Sequence, residues 1–151
     1  MESFLIQSVG QAGAIGIFDR LPYRDEDHDE EFEIRLDYLW VTVSGSDLSA
    51  AARVDASSFS GAPRLFRNMA ERWRGWDGEL SWGSPAGDLK LRCTQDRAGH
   101  VFIVVELRSG WRREAAWSIQ ATIMAEAGQL EDLARRAEAF FGGLGSRTAE
   151  E

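Results

Sequence analysis

The sequence predicts an α+β fold, in which a mostly antiparallel sheet of about seven or eight strands packs in two layers against two amphipathic helices. The first observation is a series of short segments with alternating apolar and polar residues, separated by turns that contain glycine or proline. Strands joined by such tight turns must run antiparallel. The second observation is two longer segments with apolar residues at helical spacing, each of which must cover a sheet face.

The first part of the chain contains four predicted strands. Gly10 and Gly13 separate the first two, which should form a hairpin. The third has the period of two that is typical of a half-buried antiparallel strand, and the fourth should pair back onto it. These strands cover residues 3–9, 14–18, 32–43 and 48–54.

The second part contains a predicted four-stranded meander. Val101, Ile103, Val105 and Leu107 alternate with less apolar residues, which is the clearest strand pattern of the chain. Turns with glycine separate it from its neighbours. The four strands cover residues 79–82, 88–93, 100–108 and 111–124.

A helix is predicted on each side of this meander. The first begins near Pro63, which is favoured in a first helical turn, and should end at Gly75. Its predicted apolar face consists of Leu65, Phe66, Met69, Ala70 and Trp73.

The second helix should end at Gly142 and Gly143, so that residues 1–143 form one domain and residues 144–151 a polar tail. Its apolar stripe consists of Leu130, Leu133, Ala134, Ala137, Phe140 and Phe141.

Composition limits the class of protein. A chain of 151 residues can bury a core of its own. Its formal net charge of -8 argues against a protein that grips nucleic-acid phosphates with a basic surface. No apolar run is long enough to cross a bilayer, and no signal peptide is evident. The single cysteine, Cys93, excludes an internal disulfide, so we expect a cytoplasmic protein that contacts no membrane.

An acidic run is the strongest local charge feature. It lies between the second and third strands and should form a loop, because like charges repel one another and cannot enter a core. It lacks the glycine and the distal glutamate of a calcium loop, so the alternatives are a solvated loop and an electrostatic attraction for a basic partner. Its residues include Asp25, Glu26, Asp27 and Asp29, with His28 among them.

Tryptophan provides the candidate contact residues. Trp73 and Trp117 are in phase with buried positions, so they are predicted to close the core. Trp76 and Trp111 lie near turns, beside Arg74 and Arg112, and are predicted to be exposed. These two tryptophans and two arginines are candidate partner-binding residues, as are the four aspartates and glutamates of the acidic run named above.

Catalytic and cofactor patterns are not found in the sequence. His28 and His100 are far apart and make no metal constellation. Cys93 alternates with charged residues and should be buried. There is no nucleophile elbow, and the glycines near residue 13 have the wrong spacing for a dinucleotide loop. We therefore predict neither an enzyme nor a bound cofactor or metal.

A family resemblance rests on four stretches within residues 60–141. The first stretch extends from Leu65 to Trp82 and includes Trp73-Arg74-Gly75-Trp76-Asp77-Gly78-Glu79. The other three are Gly87-Asp88-Leu89-Lys90-Leu91, Asp96 to Val101, and Gly128 to Ala134. The pattern resembles a family of small actinobacterial proteins designated a domain of unknown function. That family is similar to immunity proteins that neutralise cell-wall-associated polymorphic toxins. The resemblance implies a cytoplasmic protein that works by binding another protein.

The predicted function is therefore a non-enzymatic protein-binding module, with an immunity protein acting on a toxin or other basic partner as its specific form. The alternative is a small-molecule-binding protein or enzyme with a pocket lined by tryptophan and arginine on the sheet face, where Arg92, Arg108 or Arg112 would clamp an anion. Self-association through a sheet edge, which would give a homo-oligomer, also stays open.

Overall fold

The computed structural model describes residues 3–9, 14–20, 28–29, 34–35, 38–55, 61–85, 87–109 and 117–149. It confirms the predicted α+β class: the main elements are two four-stranded antiparallel sheets and two helices. The strands are divided between two sheets, whereas the sequence pattern suggested a single one. The two sheets meet at one end of their edge strands, where Val9 N donates to Met124 O (2.8 Å) and Met124 N donates to Ser8 Oγ (2.8 Å).

The first sheet has the strand order β1-β2-β5-β6. The predicted return of the fourth strand onto the third is confirmed, because Val41 of β5 is opposite Ala52 of β6. Alternate residues point into the core, so Phe4 of β1 and Phe18 of β2 are register partners on the inner face. The strands are β1 (Ser3–Gln7), β2 (Ile15–Arg20), β5 (Tyr38–Ser44) and β6 (Ser49–Asp55).

A small additional ladder interrupts the connection between β2 and β5. It consists of β3 (His28–Asp29) and β4 (Ile34–Arg35), with His28 opposite Arg35. The acidic run was expected to be a loop throughout, and at Asp29 that expectation is wrong, because its backbone pairs with Ile34. A ladder of two residues per strand forms through backbone N–H and C=O groups alone, so a local charge run does not exclude it.

The second sheet is the predicted meander, with the order β10-β9-β8-β7. Its inner face carries aliphatic residues in register across the sheet: Cys93 of β8 is opposite Ile103 of β9, which is opposite Ile123 of β10. The strands are β7 (Leu80–Gly83), β8 (Leu89–Gln95), β9 (His100–Ser109) and β10 (Trp117–Glu126).

Helix α1 (Ala62–Glu71) ends earlier than predicted. The backbone N–H of Arg72 donates to the carbonyls of Asn68 and Met69 (both 3.1 Å), which closes the last turn. Trp73 therefore lies beyond the helix and cannot continue its apolar face. The prediction that Trp73 is buried is wrong, since 53% of the residue is exposed.

Helix α2 (Leu130–Ala149) continues past Gly142 and Gly143, so the predicted stop is wrong. A glycine costs a helix only about 1 kcal/mol relative to alanine, and it ends a helix only when the backbone turns there. The start of α2 is well defined: a 3-10 turn (Ala127–Gln129) precedes it, with a capping box between Glu126 and Gln129.

An aromatic cluster joins the first sheet to both helices. The ring centroid of Phe4 lies 5.7 Å from that of Phe18, 5.3 Å from that of Phe66 on α1, and 5.5 Å from that of Phe141 on α2. The two sheets also touch, because a Cβ placed on Gly16 of β2 would lie 3.4 Å from Ile123 Cδ1 of β10. Both sheets and both helices thus share one core.

Arg67 of α1 links the two helices at the surface. Its Nη1 lies 2.8 Å from Glu131 Oε2, and its Nε donates to Glu138 Oε2 at 3.1 Å. The hydrogen bonds from Arg67 hold the pKa of Glu138 below its ordinary value. Among the described residues, neither helix combines the length and apolarity needed to span a bilayer.

Candidate functional site

The connection between α1 and β7, residues 72–79, presents an exposed aromatic side chain and is named here the Trp73 loop. Trp73 is the most exposed of the large apolar residues in the described part of the chain. The guanidinium carbon of Arg74 lies 5.1 Å from the centroid of the Trp73 ring. This cation–π contact restricts both side chains at the surface. They therefore lose less conformational entropy when they bind a partner.

Strand β8 fixes the backbone of the Trp73 loop. Gln95 Nε2 donates to Trp73 O at 3.0 Å, and Trp76 Nε1 donates to Cys93 O at 3.2 Å. Gly75 adopts φ +129°, which only glycine accepts without strain, and its N–H donates to Arg72 O at 2.8 Å. The exposed indole therefore lies on a loop that two hydrogen bonds attach to β8 and that a third, internal hydrogen bond closes into a turn.

Exposed charged residues lie close to Trp73 in the sequence. Arg72 and Arg74 are its two chain neighbours, Glu71 precedes them and Asp77 follows them. Glu79 lies 3.6 Å from Arg92 of the second sheet and is thereby partly engaged. An aromatic centre with a charged rim, arginine foremost, is a typical arrangement for contact with another macromolecule.

The structure reverses the predicted burial of Trp73 and Trp76. Trp76 was the predicted contact residue, but it is half-buried, packs against the core and anchors the loop through its indole N–H. Arg74 was predicted beside the contact residue and is exposed, as expected. The Arg74-Gly75 pair that follows Trp73 could have indicated its exposure. A glycine at this position is typical of a helix end, and beyond a helix end the helical spacing no longer predicts which side chains are buried.

Trp117 was predicted to close the core, and that prediction is also wrong, since 38% of the residue is exposed. Trp117 lies on the same face of β10 as Ile119. It is the first residue of that strand and pairs with Ser109 at the end of the sheet, where fewer neighbours cover it. The other predicted contact residues, Trp111, Arg112, Asp25, Glu26 and Asp27, lie outside the described residues, and for Asp29 only the backbone is described.

Asp96 and His100 are titratable residues that contact each other at the surface. Asp96 Oδ1 accepts hydrogen bonds from the N–H groups of Ala98 and His100 (both 2.9 Å), and its Oδ2 lies 2.9 Å from His100 Nδ1. The bond from the His100 backbone is the largest of the effects that lower the pKa of Asp96. This pair closes the turn between β8 and β9.

Two other predicted residues have definite places. Cys93 is fully buried, as expected, and burial raises the pKa of its thiol to about 12. Arg92 lies on the outer face of the second sheet, with its Nη2 2.7 Å from Glu106 Oε1, so its guanidinium is engaged in an ion pair. In the described ranges, no group of three or more His, Cys, Asp or Glu residues could hold a metal ion.

A comparison with protein families identifies the relationship of the chain. Residues 13–143 match a family of unknown function, DUF6228. The chain belongs to this family. The DUF6228 match confirms the predicted membership in a domain-of-unknown-function family, and it covers most of both sheets and both helices. No curated protein and no solved structure matches this DUF6228 chain. The immunity-protein resemblance and the actinobacterial origin go beyond that description and stay predictions.

Proposed function

We propose that the protein is a non-enzymatic binding module that contacts another protein through the Trp73 loop. The observation that supports this proposal is the exposed indole of Trp73 on a backbone fixed by Gln95 and Trp76. Tryptophan and arginine are the residues most enriched among those that dominate binding energy at interfaces. Leaving such an indole in water forgoes the free energy that burial would provide, roughly 25 cal/mol per Å² of apolar surface.

The charges next to Trp73 indicate what the partner presents. Arg72 and Arg74 are both exposed chain neighbours of Trp73, and the guanidinium of Arg74 lies over the indole, so carboxylates of the partner would form charge-assisted hydrogen bonds there. The acidic run that contains Asp25 and Glu26 lies on a different connection and would attract a basic surface of the same partner or of a second one. A cytoplasmic toxin that carries both kinds of surface is the specific form of this proposal.

The experiment begins by replacing Trp73 with a photo-reactive aromatic amino acid in the native host and identifying the cross-linked protein by mass spectrometry. The purified pair is then measured by calorimetry. We expect Trp73→Ala to weaken binding by about 30-fold or more, which corresponds to roughly 2 kcal/mol for a central interface tryptophan. Arg74→Ala should weaken it by a smaller factor.

The matched control is Trp40→Ala. Trp40 is a tryptophan of the first sheet and is 38% exposed, so it has similar chemistry at a different place. Its removal should change the dissociation constant by less than about twofold. Equal affinities for wild type and Trp73→Ala would contradict the proposal. The toxin form has its own test, which is growth rescue on co-production with the product of a toxin gene adjacent to this one.

A further inference from the structure

A crevice separates β1, an edge strand of the first sheet, from the beginning of helix α2. Its volume is about 370 Å³, which lies at the small end of the range for ligand sites. Leu5 and Leu133 line its apolar side, and polar groups from both walls reach it. These polar residues are Gln7, Gln129, Asp132 and Arg136. None of them belongs to the Trp73 loop.

The backbone of β1 turns hydrogen-bonding groups toward this crevice. In an antiparallel strand, successive residues direct their N–H and C=O groups to opposite sides. Leu5 O accepts from Arg136 Nη1 (2.7 Å), and Val9 N donates to Met124 O, so the odd-numbered residues face away from β2. Gln7, which lies between these two fixed points, therefore presents its backbone N–H and C=O to the crevice.

The two fixed points limit the length of a ligand. Leu5 and Val9 are four residues apart, which is about 13 Å along a strand. Arg136 and Met124 occupy the two ends of this open stretch. A strand that pairs with β1 here can therefore contribute only about two or three residues.

Arg136 provides the positive end of the site. Its Nε donates to Asp132 Oδ2 at 2.8 Å, and its guanidinium carbon lies 5.6 Å from the Phe4 ring centroid, so the group is held in place. Arg135 also lies near Asp132, with an Nη2–Oδ1 distance of 3.6 Å. Arg135 is not among the residues that line the crevice, so the charges of the lining are the carboxylate of Asp132 and the guanidinium of Arg136. The two hydrogen bonds of Arg136 use its Nε and Nη1, and its Nη2 is the group that would donate to a ligand carboxylate.

We propose that this crevice binds the carboxyl-terminal end of a short extended peptide. The peptide backbone pairs with the N–H and C=O of Gln7 as an added strand, and its terminal carboxylate accepts hydrogen bonds from Arg136. The small volume restricts the ligand to residues with small side chains. This site is independent of the Trp73 loop, so either proposal can fail without the other.

The test uses N-acetyl-Ala-Val-Ala with a free carboxylate and the same peptide with its terminus amidated, titrated into the full chain and followed by ¹H–¹⁵N NMR. We expect the free acid to shift the amide resonances of Gln7 and Gln129, with a dissociation constant on the order of 1 mM. Amidation should weaken binding by about tenfold, because it removes the charged acceptor.

Two variants at Gln7 separate backbone pairing from side-chain contact. Gln7→Pro removes the N–H that faces the crevice and leaves the β1–β2 hydrogen bonds intact, because proline is tolerated on a free edge. Gln7→Ala keeps the N–H and is the matched control. We expect about tenfold weaker binding for Gln7→Pro and less than a twofold change for Gln7→Ala.

Arg136→Gln gives a second measurement that does not depend on a proline being accepted in β1. It should bind the free acid about tenfold more weakly and bind the free acid and the amide equally. Trp73→Ala should bind the peptide as the wild type does. The proposal is overturned if the free acid causes no shift at Gln7 up to about 10 mM, if the amide binds the wild type equally well, or if Gln7→Ala weakens binding as much as Gln7→Pro.

Discussion

Phe4→Ala should lower the free energy of unfolding by about 3–5 kcal/mol, the range for removing a fully buried phenylalanine. Phe4 is 0% exposed, and its ring lies within 5.7 Å, between centroids, of Phe18, Phe66 and Phe141. The substitution leaves a cavity where β1, α1 and α2 meet, and these elements cannot all collapse into it. Chemical denaturation monitored by tryptophan fluorescence gives the value.

The control for this substitution is the next residue. Leu5→Ala removes a side chain that is 38% exposed on the opposite face of the same strand, and it should cost less than about 1 kcal/mol. Similar losses of stability for the two variants would contradict the placement of the aromatic cluster at the centre of the core.

Cys93 should be unreactive toward thiol reagents in the folded protein. The pKa of its thiol is raised from 9.0 to about 12, which lowers the thiolate fraction at neutral pH by about a thousandfold, and burial also blocks access. Because Cys93 is the single cysteine of the chain, the absorbance of a disulfide reagent reports on it alone. In guanidinium chloride the same residue should react at the ordinary rate.

The control is a double variant that combines Cys93→Ala with Thr94→Cys. Thr94 is exposed on the other face of β8, so a thiol there should react about as fast in the folded protein as in the unfolded one. Rapid modification of Cys93 in the native wild type would show that β8 opens far more readily than a central strand should.

The raised pKa of Cys93 also predicts a loss of stability at high pH. The unfolded chain releases the thiol proton near pH 9, whereas the folded chain keeps it until about pH 12. The stability that this thiol contributes is therefore complete below pH 9 and falls between pH 9 and 12, by at most about 1.4 kcal/mol per pH unit. Cys93→Ala should show a shallower decline in this window, which isolates the thiol from the other groups that titrate there.

The strands of the second sheet could be predicted because their signal is local. Alternation in residues 100–108 fixes which side chains of β9 face inward, and tight turns fix antiparallel neighbours. The return of β6 onto β5 follows for the same reason. The division into two sheets could not be predicted. It depends on whether β1 pairs with β10 along its whole length or contacts it only at Ser8 and Val9. That choice is set by contacts between residues more than 100 positions apart in the sequence.

The position of Trp73 shows why the candidate site was harder to predict than the fold. Its spacing from Met69 fits a helical face, yet the helix ends two residues before it. Helix ends depend on the energy of one or two hydrogen bonds, so they shift easily by a few residues. For an ordinary side chain such a shift is of little consequence, but here it moves an indole from the core to the surface.

The position of Phe4 also has a consequence for biosynthesis. This ring from the first strand is covered by Phe140 and Phe141 of the last helix. Phe66 of α1 is already made when the second sheet is synthesised, but the part of the aromatic face that α2 covers stays exposed until the last helix is complete. Nascent chains in that condition are the ones that chaperones bind, and long-range closure of this kind slows folding.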